Sequence, residues 1–399
     1  MGPDVTRVYL DNNATTRVDA RVVERMLPYF SDEFGNASST HVFGSEVANA
    51  VRTARRSVQS LLGAAHDHEI VFTSGGTEAD NAAIMAGLSA TDGRDEIVAS
   101  AVEHPAVLSL IEHLQHARGV KAHIIAVDGR GRLDMESFRK ALGPKTALVS
   151  IMWANNETGT LFPVKELAEL AHEAGALFHT DAVQAAGKTP IELKSTRIDF
   201  LSLSAHKIHG PKGVGALYVR KGTKFTPLIR GGHQERTRRG GTENTPGIIG
   251  FGAAAEIMLT ALTEEASKVG ALRDRLERRI LEEIGDCLVS GDLENRLPNT
   301  TNIAFFGLEG EAVLSHLNRA EVAASTGSAC TAGSNEPSHV LRAMNVPPRA
   351  LNGAIRFSLS RDNCEADVDR VMEVLPDIVA RLRDIAQAAV HAPQPALSQ

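Results

Sequence analysis

The sequence predicts an α/β protein whose larger part is a mainly parallel sheet with helices on both faces, followed by a smaller α+β unit. Two observations carry this. From Val8 to about Gly250, short β-branched runs alternate with amphipathic helical stretches, the pattern of strand–helix–strand units in a parallel sheet. After the Gly-rich stretch 230–241 the alternation stops, and a long helical region leads into a few further strands and helices.

The elements follow in order. Strands are expected at 69–73, 96–99, 122–127, 146–151, 176–180, 199–202 and 214–219, each a short run rich in β-branched or other apolar residues. Helical periodicity fills 77–87, 105–116 and 164–173 between them. Past the Gly-rich stretch the expected elements are a long helix from about 248 to 284, a strand at 302–306, a helix at 311–319, a strand near 354–359 and a helix from 365 to about 388. The expected division is an N-terminal segment, 1–18, packed near the small domain; a large domain, 19–250; a small domain, 251–390; and a frayed tail, 391–399, rich in Pro, Ala and Ser.

With 399 residues, 43% hydrophobic and 23% charged, the chain is long enough for both domains to bury a core. A formal net charge of −7, with both signs interspersed, gives no nucleic-acid footprint. No apolar run reads as a membrane span, and the N-terminus lacks a basic-then-apolar leader. The opening Met1 to Thr6 fits the bare myristoylation pattern, which is short enough to match by accident. The three cysteines, Cys287, Cys330 and Cys364, are odd in number and far apart, which argues against a disulfide framework and for a reducing cytoplasm.

Strand ends in such a sheet are where ligand chemistry gathers, and there the polar clusters fall. The apolar run Phe200-Leu201-Ser202-Leu203 ends in Ser204-Ala205-His206-Lys207, followed by a Gly-Pro-Lys-Gly turn. A lysine at a buried strand end is costly as a bare charge, and lysine amines form Schiff bases with carbonyl cofactors such as pyridoxal phosphate (PLP). Phe72-Thr73-Ser74-Gly75-Gly76-Thr77 runs a strand through paired glycines into a helix start, a place for a phosphate, and lacks the lysine of a nucleotide-triphosphate loop. His179-Thr180-Asp181 delivers a carboxylate that either holds a pyridinium nitrogen protonated or simply caps a loop, with Gln184 as a neutral donor beyond it. His104, between Glu103 and Pro105, either stacks on a cofactor ring or moves protons, or is a partly buried loop histidine.

Cys330 lies in Ser-Thr-Gly-Ser-Ala-Cys-Thr-Ala-Gly-Ser-Asn, a stretch with little apolar surface to pack; a mobile arm presenting a reactive thiol is the expectation. Cys287 and Cys364 sit in or beside amphipathic segments and read as buried, inert small hydrophobes. Arg356, on the apolar run Ile355 to Phe357, needs an anion: a substrate carboxylate gripped in bidentate fashion, or a structural salt bridge. Asn155 and Asn156 supply amides at the same edge. No spaced His/Cys pattern for a metal and no Gly-x-Ser-x-Gly elbow occurs.

Together these residues, from Tyr9-Leu10-Asp11-Asn12-Asn13-Ala14-Thr15-Thr16 to Arg356-Phe357-Ser358-Leu359-Ser360-Arg361, resemble the NifS/IscS group of PLP-dependent cysteine desulfurases over nearly the whole chain. The resemblance implies a homodimer of the aspartate-aminotransferase-like fold, PLP fold type I, in a cytoplasmic enzyme. It implies that Lys207 holds PLP covalently, Asp181 pairs with the pyridine nitrogen, His104 stacks on the ring and Gln184 meets the ring oxygen. Phosphate contacts carry over to Gly76, Thr77, Ser204, His206 and, from the neighbouring subunit, Thr242; Asn156 and Arg356 match the substrate-binding amide and carboxylate clamp. Cys330 would take sulfur from free L-cysteine, leaving alanine, and pass it as a persulfide to an iron–sulfur scaffold protein, with no intrinsic metal and at most transient iron–sulfur ligation by Cys330. The stretches 12–16 and 159–164 look closer to NifS of nitrogen fixation than to housekeeping IscS. The rival readings are a selenocysteine lyase or aminotransferase of the same fold, and a non-catalytic sulfur carrier or scaffold.

Overall fold

The structure, a computed structural model, describes residues 7–327 and 337–391. The chain starts with β1 (Val8–Tyr9), α1 (Ala20–Met26), α2 (Pro28–Ser31) and α3 (Val42–Leu61). Strand–helix alternation follows: β2 (Ile70–Thr73), α4 (Gly76–Ala90), β3 (Glu96–Ser100), α5 (Pro105–Arg118), β4 (Lys121–Ile125), α6 (Met135–Ala141), β5 (Thr146–Ser150), α7 (Val164–Glu173), β6 (Leu177–Asp181), β7 (Phe200–Ser204) and β8 (Gly215–Val219). A long helix, α8 (Thr245–Glu283), leads to β9 (Cys287–Ser290), β10 (Thr300–Phe305), α9 (Gly310–Arg319) and β11 (Val322–Ala323). The chain then forms α10 (His339–Ala343), α11 (Pro348–Leu351), β12 (Ala354–Ser358) and α12 (Glu365–His391).

Seven strands form one sheet in the order β2-β8-β7-β6-β5-β3-β4. The pairs β3–β4, β3–β5, β5–β6 and β6–β7 are parallel, and β8 runs against both β7 and β2. Because β8 is reversed, β2 points the same way as β7. The carboxyl ends of β2, β3, β5, β6 and β7 therefore share one edge, from which the 74–77, 101–104, 151–156, 182–184 and 205–207 segments all leave. Central strands β5, β6 and β7 are buried almost throughout, as expected of strands covered on both faces.

One apolar cluster fills the sheet face under α3, α7 and the first half of α8; another packs α4 and α5 on the opposite face. A third joins Val8 and Leu10 to the second half of α8, β10, α9, β12 and α12, around the antiparallel sheet β12-β10-β9. The N-terminal strand β1 pairs in parallel with β11, so the chain's start is stitched to its C-terminal part.

Helix α3 shows local sequence logic that the apolar runs of the sequence did not reveal. Val47, Val51, Ala54, Val58 and Leu61 recur at helical spacing and are buried, and His41 caps the start through Nδ1, 3.3 Å from Gly44 N. Among the described residues, α8 is long and apolar enough to cross a membrane by length and composition, which corrects the expectation that no run is. Half of that apolar window is buried inside the protein, with Ile248, Phe251 and Ala253 to Ala255 in the core against α3.

Candidate active site

The shared strand edge opens into a cavity of about 320 Å³ lined by residues from every segment that leaves it, together with Asn13, Ala14, Gly327, His339 and Arg356 from the chain's other parts. That is enough room for a small cofactor or substrate. Of the residues expected from sequence, Gly76, Thr77, His104, Asn156, Asp181, Gln184, Ser204, His206, Lys207 and Arg356 all line it.

At one end, α4 begins at Gly76 with no side-chain cap on its N-cap residue, Gly75. Its first-turn N–H groups are an anion cradle by position and by the helix dipole. A Cβ on Gly76 would stand 2.9 Å from Val183 Cγ2, so glycine is what lets this turn pack against the 182–184 segment.

At the opposite wall, Lys207 leaves β7 through a single 3₁₀ turn and donates to the carbonyls of Asn13 (2.5 Å) and Ala14 (2.7 Å). His206 Nδ1 lies 3.1 Å from Thr15 Oγ1; burial, and then the charge of Lys207, pull its imidazole down to about 4, so it stands neutral at physiological pH.

Asp181 ends β6, accepts from Val183 N at 2.9 Å, and is 8% exposed. Burial pushes its carboxyl up, against the opposing pull of His104 and Lys207. A cation placed in the cavity beside it would be strongly favoured, since the charge has little water to shield it. His104 caps α5, its Nδ1 accepting from Ala106 N at 3.1 Å. That bond makes Nδ1 the acceptor and leaves the ring proton on Nε2 in the neutral form.

The buried layer beneath is polar. His179 sits between Ser150 Oγ (2.8 Å) and Ser202 Oγ (3.0 Å), and burial pulls it down to about 3. Glu103 accepts from Ser100 Oγ (2.5 Å) and Met152 N (3.0 Å), and burial pushes it up to about 8, which keeps it protonated near neutrality. Asp80, 1% exposed, is also driven upward by burial and by neighbouring Asp181.

Arg356 is the largest fully buried side chain. Its Nη2 pairs with Asp11 Oδ1 at 2.7 Å, and Nη1 donates to the carbonyls of Asn156 and Gly327, both at 3.1 Å. Its buried Nε has no acceptor among the described residues. The salt bridge foreseen as one alternative is thus present, and a donor remains for an anion.

Thr242 does not reach this cavity within its own chain. It is exposed, in a separate hollow with Thr73, Ser74, Arg239 and Glu243. Cys330 lies outside the described residues; Gly327 and His339, on either side of its segment, both line the main cavity. Cys364 is exposed and Cys287 only half-buried, so neither is the buried hydrophobe expected: Cys364 stands just before α12 and Cys287 opens the edge strand β9. No group of three or more His, Cys, Asp or Glu side chains is placed to hold a metal among the described residues.

The sequence alone points to no role for Asp11, Asn13, Asp80, Glu103 or His339. Asp11, Asn13, Asp80 and Glu103 stand in or beside stretches singled out for their neighbours, and His339 carries no local signal; only the fold brings the five together.

The cavity therefore combines an anion cradle, an amine, a buried carboxylate and a guanidinium whose buried Nε has no acceptor among the described residues. It suits a flat, phosphate-bearing carbonyl compound with a ring cation, and a carboxylate-bearing substrate beside it. Comparison with known proteins agrees. Residues 8–371 match the family model described as aminotransferase class-V. The chain is 64% identical over 379 residues to a cysteine desulfurase of Gluconacetobacter diazotrophicus, covering 95% of each chain. It is 57% identical over 379 residues to cysteine desulfurase NifS of Azotobacter vinelandii, covering 95% of this chain and 94% of that one. Among solved structures it is similar to a NifS-like protein at 38% identity and a TM-score of 0.89, covering 94% of this chain and all of that one. It is also similar to a NifS-like protein from Rickettsia africae, at 32% identity and a TM-score of 0.85, with 94% and 100% coverage.

Proposed function

The chain belongs to the class-V aminotransferase family, as a PLP-dependent cysteine desulfurase, and on that premise we propose how its own residues divide the work. The observation that carries the reading is the convergence of Lys207, Asp181 and the uncapped start of α4 on one cavity. The residues fit the cofactor: the α4 N-terminus with Gly76 and Thr77, and Ser204 and His206, suit its phosphate; Asp181 its ring nitrogen; His104 its ring face; Gln184 its ring oxygen. When bound, PLP supplies an electron sink for charge developing at the substrate's α-carbon.

Lys207 Nζ is the amine that tethers the cofactor and, when released, one that moves a proton at the substrate. Asp181, buried and anionic beside a ring cation, keeps that ring protonated. Arg356, with Asn156 at its side, grips the cysteine carboxylate through the donor it has to spare. The Cys330 thiolate attacks the substrate sulfur; the carbon–sulfur bond breaks with its electron pair left on carbon, that carbon takes up a proton so that L-alanine leaves, and Cys330 keeps the sulfur as a persulfide.

An iron–sulfur scaffold protein is the proposed acceptor, in nitrogenase maturation if the likeness to NifS extends to its role. The proposed working form is a cytoplasmic homodimer in which Thr242 contacts the phosphate of the other subunit. Supporting it, Thr242 is exposed and away from its own cavity, and Leu27, Phe30, Phe34, Val42 and Phe43 leave an apolar surface in water. The test is the ultraviolet–visible spectrum of the purified protein before and after adding cysteine, with products quantified. Cofactor absorbance that shifts with cysteine, and alanine as product, are expected. A keto acid in place of alanine would make it an aminotransferase, and no cofactor absorbance would leave a sulfur carrier.

A further inference from the structure

The chain leaving β6 winds back on itself between Ala182 and Thr189, and the wind places Lys188 behind Gln184. Backbone bonds from Ala185 and Ala186 to Ala182 O, and from Lys188 and Thr189 to Ala185 O, hold it. Gly187 sits at φ 73, and a Cβ there would stand 2.8 Å from Ile208 Cγ2, so glycine is what brings the turn against the Lys207 segment.

Lys188 Nζ donates to Gln184 Oε1 at 2.7 Å, and Gln184 Nε2 donates to the carbonyl of Asn13 at 3.0 Å. That same carbonyl accepts from Lys207 Nζ. An ammonium has only donors, so the amide atom it touches is the oxygen, and the amide nitrogen is turned away from Lys188. Gln184 is 5% exposed and lines the main cavity; one N–H of its Nε2 goes to Asn13, and the second is the donor it can offer there.

We propose that Lys188 is a positioning residue for Gln184, fixing its amide so that an N–H, and not the carbonyl oxygen, is presented to the ring oxygen of the bound cofactor. The proposal rests on the reading above that Gln184 meets that oxygen. Without Lys188, Gln184 Oε1 is a buried acceptor with no donor, and a half-turn of the amide would set oxygen against oxygen. Burial, and then the charges of Lys207 and Arg356, pull Lys188 down to about 7. Charged or neutral, that amine keeps N–H bonds to give, so it can donate to Gln184 Oε1 in either state while the Asn13 carbonyl takes the amide N–H.

The readout is the pH midpoint of the cofactor's absorbance change in the loaded enzyme without substrate, which reports protonation of the Lys207–cofactor linkage. An N–H donated to the ring oxygen stabilises its anionic form and lowers that midpoint. Lys188→Met should therefore raise it by roughly half to one pH unit, the worth of one hydrogen bond. Lys188→Arg, which keeps a donor, should stay near the wild-type midpoint. Removing a positive charge would raise the midpoint too, so the deciding arm is Lys188→Met in a Gln184→Ala background, where no further shift is expected. Lys188→Ala is made in parallel in case the methionine variant folds poorly. An unshifted midpoint in the folded truncation, an Arg variant shifted as far as Met, or an equal shift in both backgrounds would overturn the proposal. Borohydride reduction of the wild type separates the two levels: label on a lysine other than Lys207 would sink the cofactor reading beneath it, whereas label on Lys207 with no Met shift would sink only the role of Lys188.

Discussion

Arg356→Lys should cut kcat/KM for cysteine by roughly 10- to 100-fold while leaving the cofactor bound. The guanidinium already serves three acceptors, Asp11 Oδ1 and the carbonyls of Asn156 and Gly327, and still has a buried Nε without an acceptor among the described residues. An ammonium has three donors and no fork. Placed at 356, those donors are drawn to the same three acceptors, and nothing is left for the substrate carboxylate. Losing a hydrogen bond between charged groups is worth about 1.5–3 kcal/mol, which converts to the stated range in kcat/KM. Lysine is chosen because Arg356→Ala would strip a half-buried carboxylate partner and two carbonyls of their donor and damage the fold itself. Initial rates of alanine formation against cysteine concentration measure the effect, with circular dichroism and cofactor absorbance confirming a folded, loaded enzyme. A loaded Arg356→Lys variant within twofold of wild type would refute the clamp and reduce Arg356 to a structural ion pair with Asp11.

Lys207→Ala should lose the covalent cofactor and turnover together, and borohydride reduction with peptide mapping should label Lys207 alone in the wild type. Mixed dimers of Lys207→Ala and Thr242→Ala chains should contain one site with both lesions and one with neither if Thr242 acts across the interface; two sites with one lesion each, and so no intact site, would place Thr242 in its own subunit. Glu103 is held up to about 8 by burial, against about 4.5 for the free group, so between those values the folded chain keeps a proton that the unfolded chain has released. Its contribution to stability is therefore full below about pH 4.5 and lost as pH rises toward 8. Glu103→Gln should flatten that slope in urea-unfolding midpoints of the apo protein, and an unchanged slope would show that Glu103 ionises freely.

The sheet was legible because β5, β6 and β7 are buried on both faces and so read as short, largely apolar segments ending in polar residues. Most of the cavity followed from the same fact, since Asp181 and Ser204 are the last residues of those strands and Asn156 and Lys207 follow shortly after. Helix α3 was less visible: its buried residues are spaced among Arg, Ser and Thr, so no run stands out although the period is there. The small β1–β11 pair depends on partners more than 300 residues apart, and no local pattern encodes it. That distant pairing brings Asp11 to Arg356 and Asn13 to the cavity, so the need of Arg356 for an anion is visible in the sequence while its partner is not. The exposure of Cys364 and the half-burial of Cys287 came from position, one just ahead of a helix and one on an edge strand, and composition carries no signal for either.

The central claim is that sulfur leaves cysteine on the thiol of Cys330, a residue outside the described part of the structure. Mass spectrometry of the loaded enzyme after incubation with cysteine tests it most directly, run on the wild type and on Cys330→Ala, Cys287→Ala and Cys364→Ala. One extra sulfur on the peptide containing Cys330 is expected, kept in Cys287→Ala and Cys364→Ala and absent from Cys330→Ala, which should still change its cofactor absorbance with cysteine yet release almost no alanine. A Cys330→Ala enzyme that forms alanine and sulfide at near wild-type rates, or extra sulfur carried on Cys287 or the exposed Cys364, would contradict it.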